Sequence, residues 1–287
     1  MSDTVHTYLA NYKSDSRVDG VVAVDCRGLQ TQLVDEFDFL FLVILAEPSA
    51  EVISHYKQGD LRIQEHRVTQ DGLERWMLTG ANRNIMQWVL GGTIELDRTG
   101  WLSQLREQWT LFPTPLRDKK LMIEFAAFLR VYTRCQEYLK AGQIMDAYSQ
   151  VNAMLHHWAR IYITEAGLHP EVMVWRQVYD INPGVYKMYQ ELQESDETLE
   201  QRVELVLLAI DFSIIRRITD CNQVLLQVMR SRDGAWGVSE LQMHPRIAEL
   251  DVDLNLILQK LVEKRVIHEV YVAQPNLPGI YEIQYQA

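Results

Sequence analysis

The densest apolar run of the chain is FLFLVILA at residues 39–46, where apolar residues fill successive rather than alternate positions. Such a run fits a central strand covered on both faces, so a strand is expected over 37–45, with 21–24 (VVAV) beside it. Residues 61–68 (LRIQEHRV) partly alternate and predict a third strand, with Leu61, Ile63 and Glu65 on one face and Arg62, Gln64 and His66 on the other. Helical spacing follows over 71–90 and ends at Gly91 and Gly92, before a short strand at 93–96 and a turn at 97–100.

The rhythm changes after Pro113 and Pro115. Leu121, Phe125, Phe128, Tyr132, Cys135 and Leu139 recur at spacings of four and three, and the same stripe returns at Ile144, Ala147, Val151, Met154, Trp158 and Ile161. Two long antiparallel helices are expected, then less regular segments at 172–179 and 185–192, and a helix carrying Leu199, Val203, Val206, Ile210 and Ile214. Further on, helices at 223–230, 239–249 and 252–264, the last with Asp251 as a candidate N-cap, precede strands at 266–272 and 280–285 joined by AQPNLPG. Three helices and a hairpin make a winged-helix plan. The fold class expected is an α/β domain with a mixed sheet at 1–115, an α-helical bundle at 116–221 and a winged helix at 222–287.

Composition narrows the function. With 47% hydrophobic and 23% charged residues the chain has ample core material, and its net charge of −11 works against general attraction to nucleic acid or an anionic membrane. The longest apolar run is far shorter than the roughly 20 residues that span a bilayer, and no apolar signal core opens the sequence, so a cytoplasmic protein is expected. Cys26, Cys135 and Cys221 have neither the number nor the spacing of a disulfide framework or a zinc site.

Candidate chemistry gathers where the apolar strand begins. Glu36 and Asp38 are two residues apart, so on a strand they share a face and two carboxylates can hold a divalent metal; Gln64 or Glu65 could face them from the third strand. The bland alternative is a pair of solvated strand-end acids. His156 and His157 are adjacent on a helix, diverge by about 100° and cannot chelate together, so one is expected in the core and the other exposed. Without an evident histidine partner Cys26 reads as a buried, inert thiol, and Trp76, Trp88, Trp158 and Trp175 read as packing residues.

The order of strand, acid pair, helix with a GGTIELDRTG tail, helical bundle and winged helix resembles an uncharacterised family of nucleotidyltransferase-like proteins over essentially the whole chain. Particularly similar are DEFDFLFLVILAE at 35–47, GLHPEVMVWRQV at 167–178 and LVEKRVIHEV at 261–270. In active relatives of the wider superfamily a Gly-Ser turn cradles nucleotide phosphates, an Asp-x-Asp pair binds magnesium, and a third acid activates the acceptor. The resemblance maps Glu36 and Asp38 onto the magnesium pair and Glu65 onto the third acid, whereas Asp25 and Cys26 stand where Gly-Ser would be. An aspartate there sets a carboxylate against a polyanion, although Arg27 offers charge and Gly28 can restore part of the turn.

Two functions follow from that resemblance. One is a module that binds a nucleoside triphosphate or a protein partner with a degenerate active-site motif, and the other is an active magnesium-dependent transferase moving a nucleoside monophosphate to an acceptor. The winged helix invites a DNA reading, but residues 222–287 carry six Lys and Arg against eight Asp and Glu, which favours protein contact over specific DNA binding.

Overall fold

The structure is a computed structural model that describes residues 3–27, 37–47, 50–80, 84–274 and 279–287, with side chains undescribed at 3–7 and 214–216. Contacts divide the chain into two compact units, 1–113 and 114–287.

The first unit runs α1 (Asp3–Ser14), β1 (Val18–Asp25), β2 (Phe39–Leu45), β3 (Val52–Gln58), β4 (Leu61–Thr69), α2 (Gln70–Thr79), α3 (Ile85–Gly91), β5 (Thr93–Asp97) and α4 (Trp101–Leu111). Its mixed sheet has the order β3-β4-β2-β1-β5, with β2 and β4 parallel and the other neighbours antiparallel. The unbroken apolar run is β2, which lies at the centre with six of its residues at 0 or 1% exposure. On one face, Leu9 and Tyr12 of α1 pack over Val21, Ala23, Phe39, Phe41, Val43 and Ile63. On the other, the His66 ring lies against Trp76 of α2 and Trp88 of α3. A Cβ at Gly92 would sit 2.5 Å from the Trp88 carbonyl oxygen and 2.6 Å from a Val22 methyl, so glycine there lets the α3–β5 corner close onto β1.

The expected 71–90 helix is two helices. Gly80 adopts a left-handed φ of 69° and its N–H donates to the Trp76 carbonyl, which ends α2. The pattern also gave no warning of α1, β3 or α4. An edge strand exposed on both faces, as β3 is, has no apolar alternation to read.

The second unit opens with the two expected long helices, α5 (Thr114–Lys140) and α6 (Ile144–Glu165), followed by α7 (Val174–Ile181), α8 (Pro183–Glu194) and α9 (Leu199–Cys221). Phe125, Phe128 and Trp158 fill the space between α5 and α6. Glu124 of α5 is 5% exposed and lies 3.0 Å from His157 Nδ1 and 2.6 Å from the Arg160 guanidinium, both on α6. Neither of the two adjacent histidines is in the core or fully exposed: both are half-buried, His157 on Glu124 and His156 edge-on to Trp175.

The winged helix consists of α10 (Gln223–Met229), α11 (Val238–Met243), α12 (Pro245–Ala248), α13 (Leu254–Glu263), β6 (His268–Ala273) and β7 (Tyr281–Gln286), with Trp236 bridging to Tyr285. The expected 239–249 helix breaks before Pro245, because proline pushes His244 into extended backbone. Asp253, not Asp251, is the N-cap: its side chain accepts from the Asn255 N–H, while Asp251 sits at a left-handed φ of 49°. The hairpin tip at 275–278 lies outside the described residues.

Candidate functional site

The site foreseen at the start of the central strand is built where β1 ends and β2 and β4 begin. The backbone knits the three strands there: the Cys26 N–H donates to the Asp38 carbonyl at 2.9 Å, and the Asp38 N–H to the Arg62 carbonyl at 2.8 Å. Asp38 then turns a carboxylate oxygen back to accept from the Arg62 N–H at 2.7 Å. Its other oxygen has no partner among the described residues. Around it, the Phe37 and His55 rings are 4.6 Å apart, Arg62 lies over Phe37, and Gln64 Nε2 is 3.3 Å from His55 Nε2.

Asp25 and Arg27 close on each other at the end of β1. The Arg27 backbone N–H and Nε each donate to one Asp25 oxygen at 3.1 and 3.0 Å, and Nη2 donates to the other at 2.7 Å. The hydrogen bonds from Arg27 hold the Asp25 carboxyl below its ordinary value. Arg27 also lies over the Phe39 ring, 4.5 Å from its centre. Burial, with the Asp25 charge adding to it, raises the half-buried Cys26 thiol to about 11, so it is protonated and unreactive near neutral pH. Glu36 and Gly28 lie outside the described residues.

Glu65 requires a correction, because the structure does not bring it to Asp38. In the parallel register Phe39 pairs with Ile63, Leu40 with Gln64 and Phe41 with Glu65. Alternation along that register puts Asp38 with Leu40 and Gln64 on the α2–α3 face, and Glu65 with Phe41 on the α1 face. There Glu65, 1% exposed, accepts from the Tyr12 hydroxyl and from Arg67 Nε at 2.7 Å, with the Tyr56 hydroxyl at 3.5 Å. Burial and the bond to Glu65 raise the Tyr12 phenol far above its ordinary range. Glu65 therefore ties α1 to the sheet, and the position it was expected to fill beside Asp38 belongs to the uncharged Gln64.

His66 is the group on the α2–α3 face that the sequence reading passed over. It is 4% exposed, neither ring nitrogen has a hydrogen-bond partner among the described residues, and burial lowers its pKa to about 4. Only its even-numbered place in 61–68 marked it as sharing a face with Gln64.

Magnesium was the expected metal. Among the described residues no group of three or more His, Cys, Asp or Glu side chains could hold a metal ion. Magnesium usually keeps several waters and takes one or two carboxylates plus substrate phosphates, so Asp38 suits an ion that arrives on a nucleotide rather than one held in a protein cage.

The mixed sheet, the helical domain and the C-terminal winged helix agree with the class that comparison with known proteins gives, a nucleotidyltransferase-like protein. Residues 1–117 match the nucleotidyltransferase-like family, 118–217 the YgxA-like substrate binding domain, and 223–287 a helix-turn-helix domain. The chain belongs to the family of the Bacillus subtilis (strain 168) protein named uncharacterized protein YgxA, with which it is 36% identical over 249 residues, covering 86% of this chain and 84% of that one. The crystal structure of a nucleotidyltransferase-like protein from Exiguobacterium sibiricum 255-15 is similar throughout, with a TM-score of 0.87, 35% identity, and coverage of 98% of this chain and 97% of that one.

Three of the six Lys and Arg of the helix-turn-helix form ion pairs, whereas the exposed Arg230, Arg246 and Arg265 pair with no acid among the described residues. Lys260 of α13 and Lys264 just beyond its end both pair with Glu263, and Arg232 forks onto Glu240. Leu254, Ile257, Leu258 and Leu261 of α13 are buried, Lys260 lies over the Tyr132 ring of α5, and Lys119 of α5 pairs with Glu249. Among the described residues no helix is long and apolar enough to cross a membrane.

Proposed function

We propose that the chain is a nucleotide-binding or partner-binding module that keeps the nucleotidyltransferase fold without the transfer step. One observation carries the reading: Asp25 and Arg27, at and beside the positions where the resemblance puts a phosphate-cradling Gly-Ser turn, bond to each other, which spends the nearby cation on an internal carboxylate. Glu65 supports it, since a carboxylate bonded to Tyr12 and Arg67 on the opposite face is no base for an acceptor. Binding would use Asp38, together with Glu36, to meet magnesium on a triphosphate, and Arg62, Phe37 and Gln64 to shape the surroundings. The winged helix serves contacts within its own unit and with a protein partner, because residues 222–287 carry more acids than bases and half of their cations are spent on ion pairs inside the domain.

A second reading, transfer of a nucleoside monophosphate to an acceptor, is favoured by the match of 118–217 to a family described as a substrate binding domain. Calorimetry with magnesium–ATP separates the two when run beside an assay for release of pyrophosphate. The binding reading expects saturable binding without turnover, at least about tenfold weaker in Asp38→Asn. Asp25→Gly with Cys26→Ser should tighten binding about tenfold, the factor of about 1.4 kcal/mol, because it removes a like charge and frees Arg27. Pyrophosphate release lost in Asp38→Asn would establish the enzyme instead, and unchanged affinity in Asp38→Asn would remove the site.

A further inference from the structure

The sheet ends on one side at β3, whose outer edge pairs with no other strand among the described residues. Edges of this kind are usually blunted by proline, a bulge, a run of charge or a short length. β3 has none of these between its ends: all seven residues stay in continuous antiparallel register with β4, and its one fully charged residue is Lys57 near the terminus. Val52, Ile53 and Tyr56 are 44, 59 and 39% exposed. On the α1 face the strand also borders a cleft of about 500 Å³ lined by Leu45, Val52, Ser54, Tyr56 and Arg67 among others, with Tyr8 of α1 edge-on to the Tyr56 ring.

The sequence of the edge says what fits it. We propose that β3 pairs antiparallel with β3 of a second copy of this chain about a twofold axis at Ser54, joining two five-stranded sheets into one. A register centred on Ser54 sets Glu51 opposite Lys57 of the partner subunit and Val52 opposite Tyr56 of the partner subunit, and the symmetry repeats both pairs. Opposite charges and an aromatic against a β-branched residue are the cross-strand pairs that stabilise a sheet. The same register sets Ile53 opposite His55 of the partner subunit on the other face. A strand that is self-complementary in both charge and apolar shape recognises its own copy better than an unrelated edge, which would leave Glu51 and Lys57 without opposite charges.

The test is sedimentation velocity of the full chain across the micromolar range, with charge reversal as the probe. The wild type should dimerise. Glu51→Lys and Lys57→Glu should each raise the dimer dissociation constant about tenfold or more, because each turns two attractive pairs into repulsive ones. The double variant Glu51→Lys/Lys57→Glu restores opposite charges and should return the constant close to that of the wild type, which excludes misfolding as the cause. In Ser54→Cys, oxidation should give a covalent dimer whose peptide map shows the two copies joined by a disulfide between the introduced thiols. A wild type that stays monomeric, a dimer indifferent to both single reversals, or a double variant no better than either single overturns the proposal.

Discussion

Each unit of the molecule buries a carboxylate, and the two are held by different means. Glu65 in the sheet unit is bonded to a neutral phenol, Tyr12, and to one arginine whose side chain remains 33% exposed. Glu124 in the helical unit sits among His157, Arg160 and the 2% exposed Lys120, so its surroundings carry more positive charge than it cancels alone. The first is a polar pin between α1 and β4, whose loss leaves the buried Tyr12 hydroxyl without its acceptor and a cation, Arg67, that can turn to water. The second is an electrostatic clasp between α5 and α6, whose loss leaves the buried Lys120 and the partly exposed Arg160 and His157 without their carboxylate.

Removing Glu124 should therefore have the largest effect. Glu124→Ala is expected to destabilise the helical unit by about 3–5 kcal/mol, the usual cost of breaking a buried pair from one side, measured by urea unfolding. The pH profile supplies a second reading of the same group. Burial pushes its carboxyl up, but the bond from His157 and the Arg160 charge outweigh it and hold the value at about 2. A folded value below the unfolded one means stability that is present above about pH 4.5 and lost as pH falls through about 2. Glu124→Ala should lack that share of acid destabilisation; an unchanged acid limb would show that the clasp does not titrate this way.

Lys120 is the cost side of the clasp. Burial, with the Arg160 charge adding to it, lowers its pKa to about 8 despite Glu124. The folded lysine gives up its proton before the unfolded one, so stability should rise as pH goes from about 8 to about 10.5, by at most about 3 kcal/mol. Lys120→Met should flatten that rise in urea melts taken across the range. A wild-type profile already flat there would mean the lysine is better compensated than its burial implies.

The contrast also explains what the sequence could and could not reveal. The unbroken run at 39–45 and the four-three stripes of α5 and α6 were legible because burial on both faces, or on one helical face, writes directly into residue order. Glu65 was misassigned for a different reason. The alternation of β4 was visible, but which of its faces meets Asp38 depends on the register with β2, a long-range fact that one residue of slip reverses. Asp251 and Asp253 were equally good caps by composition, and only backbone conformation separates them. The Asp25–Arg27 fork was half visible: both residues were marked, the carboxylate as a defect and the arginine as a remedy, but not their bond to each other.

The smallest effect tests the pin in the sheet unit. Tyr12→Phe removes one donor from Glu65 while leaving the ring packed against Phe41 and the Arg67 bond in place. A buried carboxylate that loses one of its donors is expected to cost about 1–2 kcal/mol. Tyr56→Phe is the internal control, since its hydroxyl stands 3.5 Å from Glu65, at the limit of a hydrogen bond, and should cost well under about 1 kcal/mol. Both should be read on the same urea midpoint. Amide exchange adds a local reading: Tyr12→Phe should speed exchange in α1 while α5 and α6 keep their protection, because the pin lies within the sheet unit. No loss in Tyr12→Phe would mean that this phenol contributes through ring packing alone, and the distinction between a polar pin and an electrostatic clasp would then fail on the sheet side.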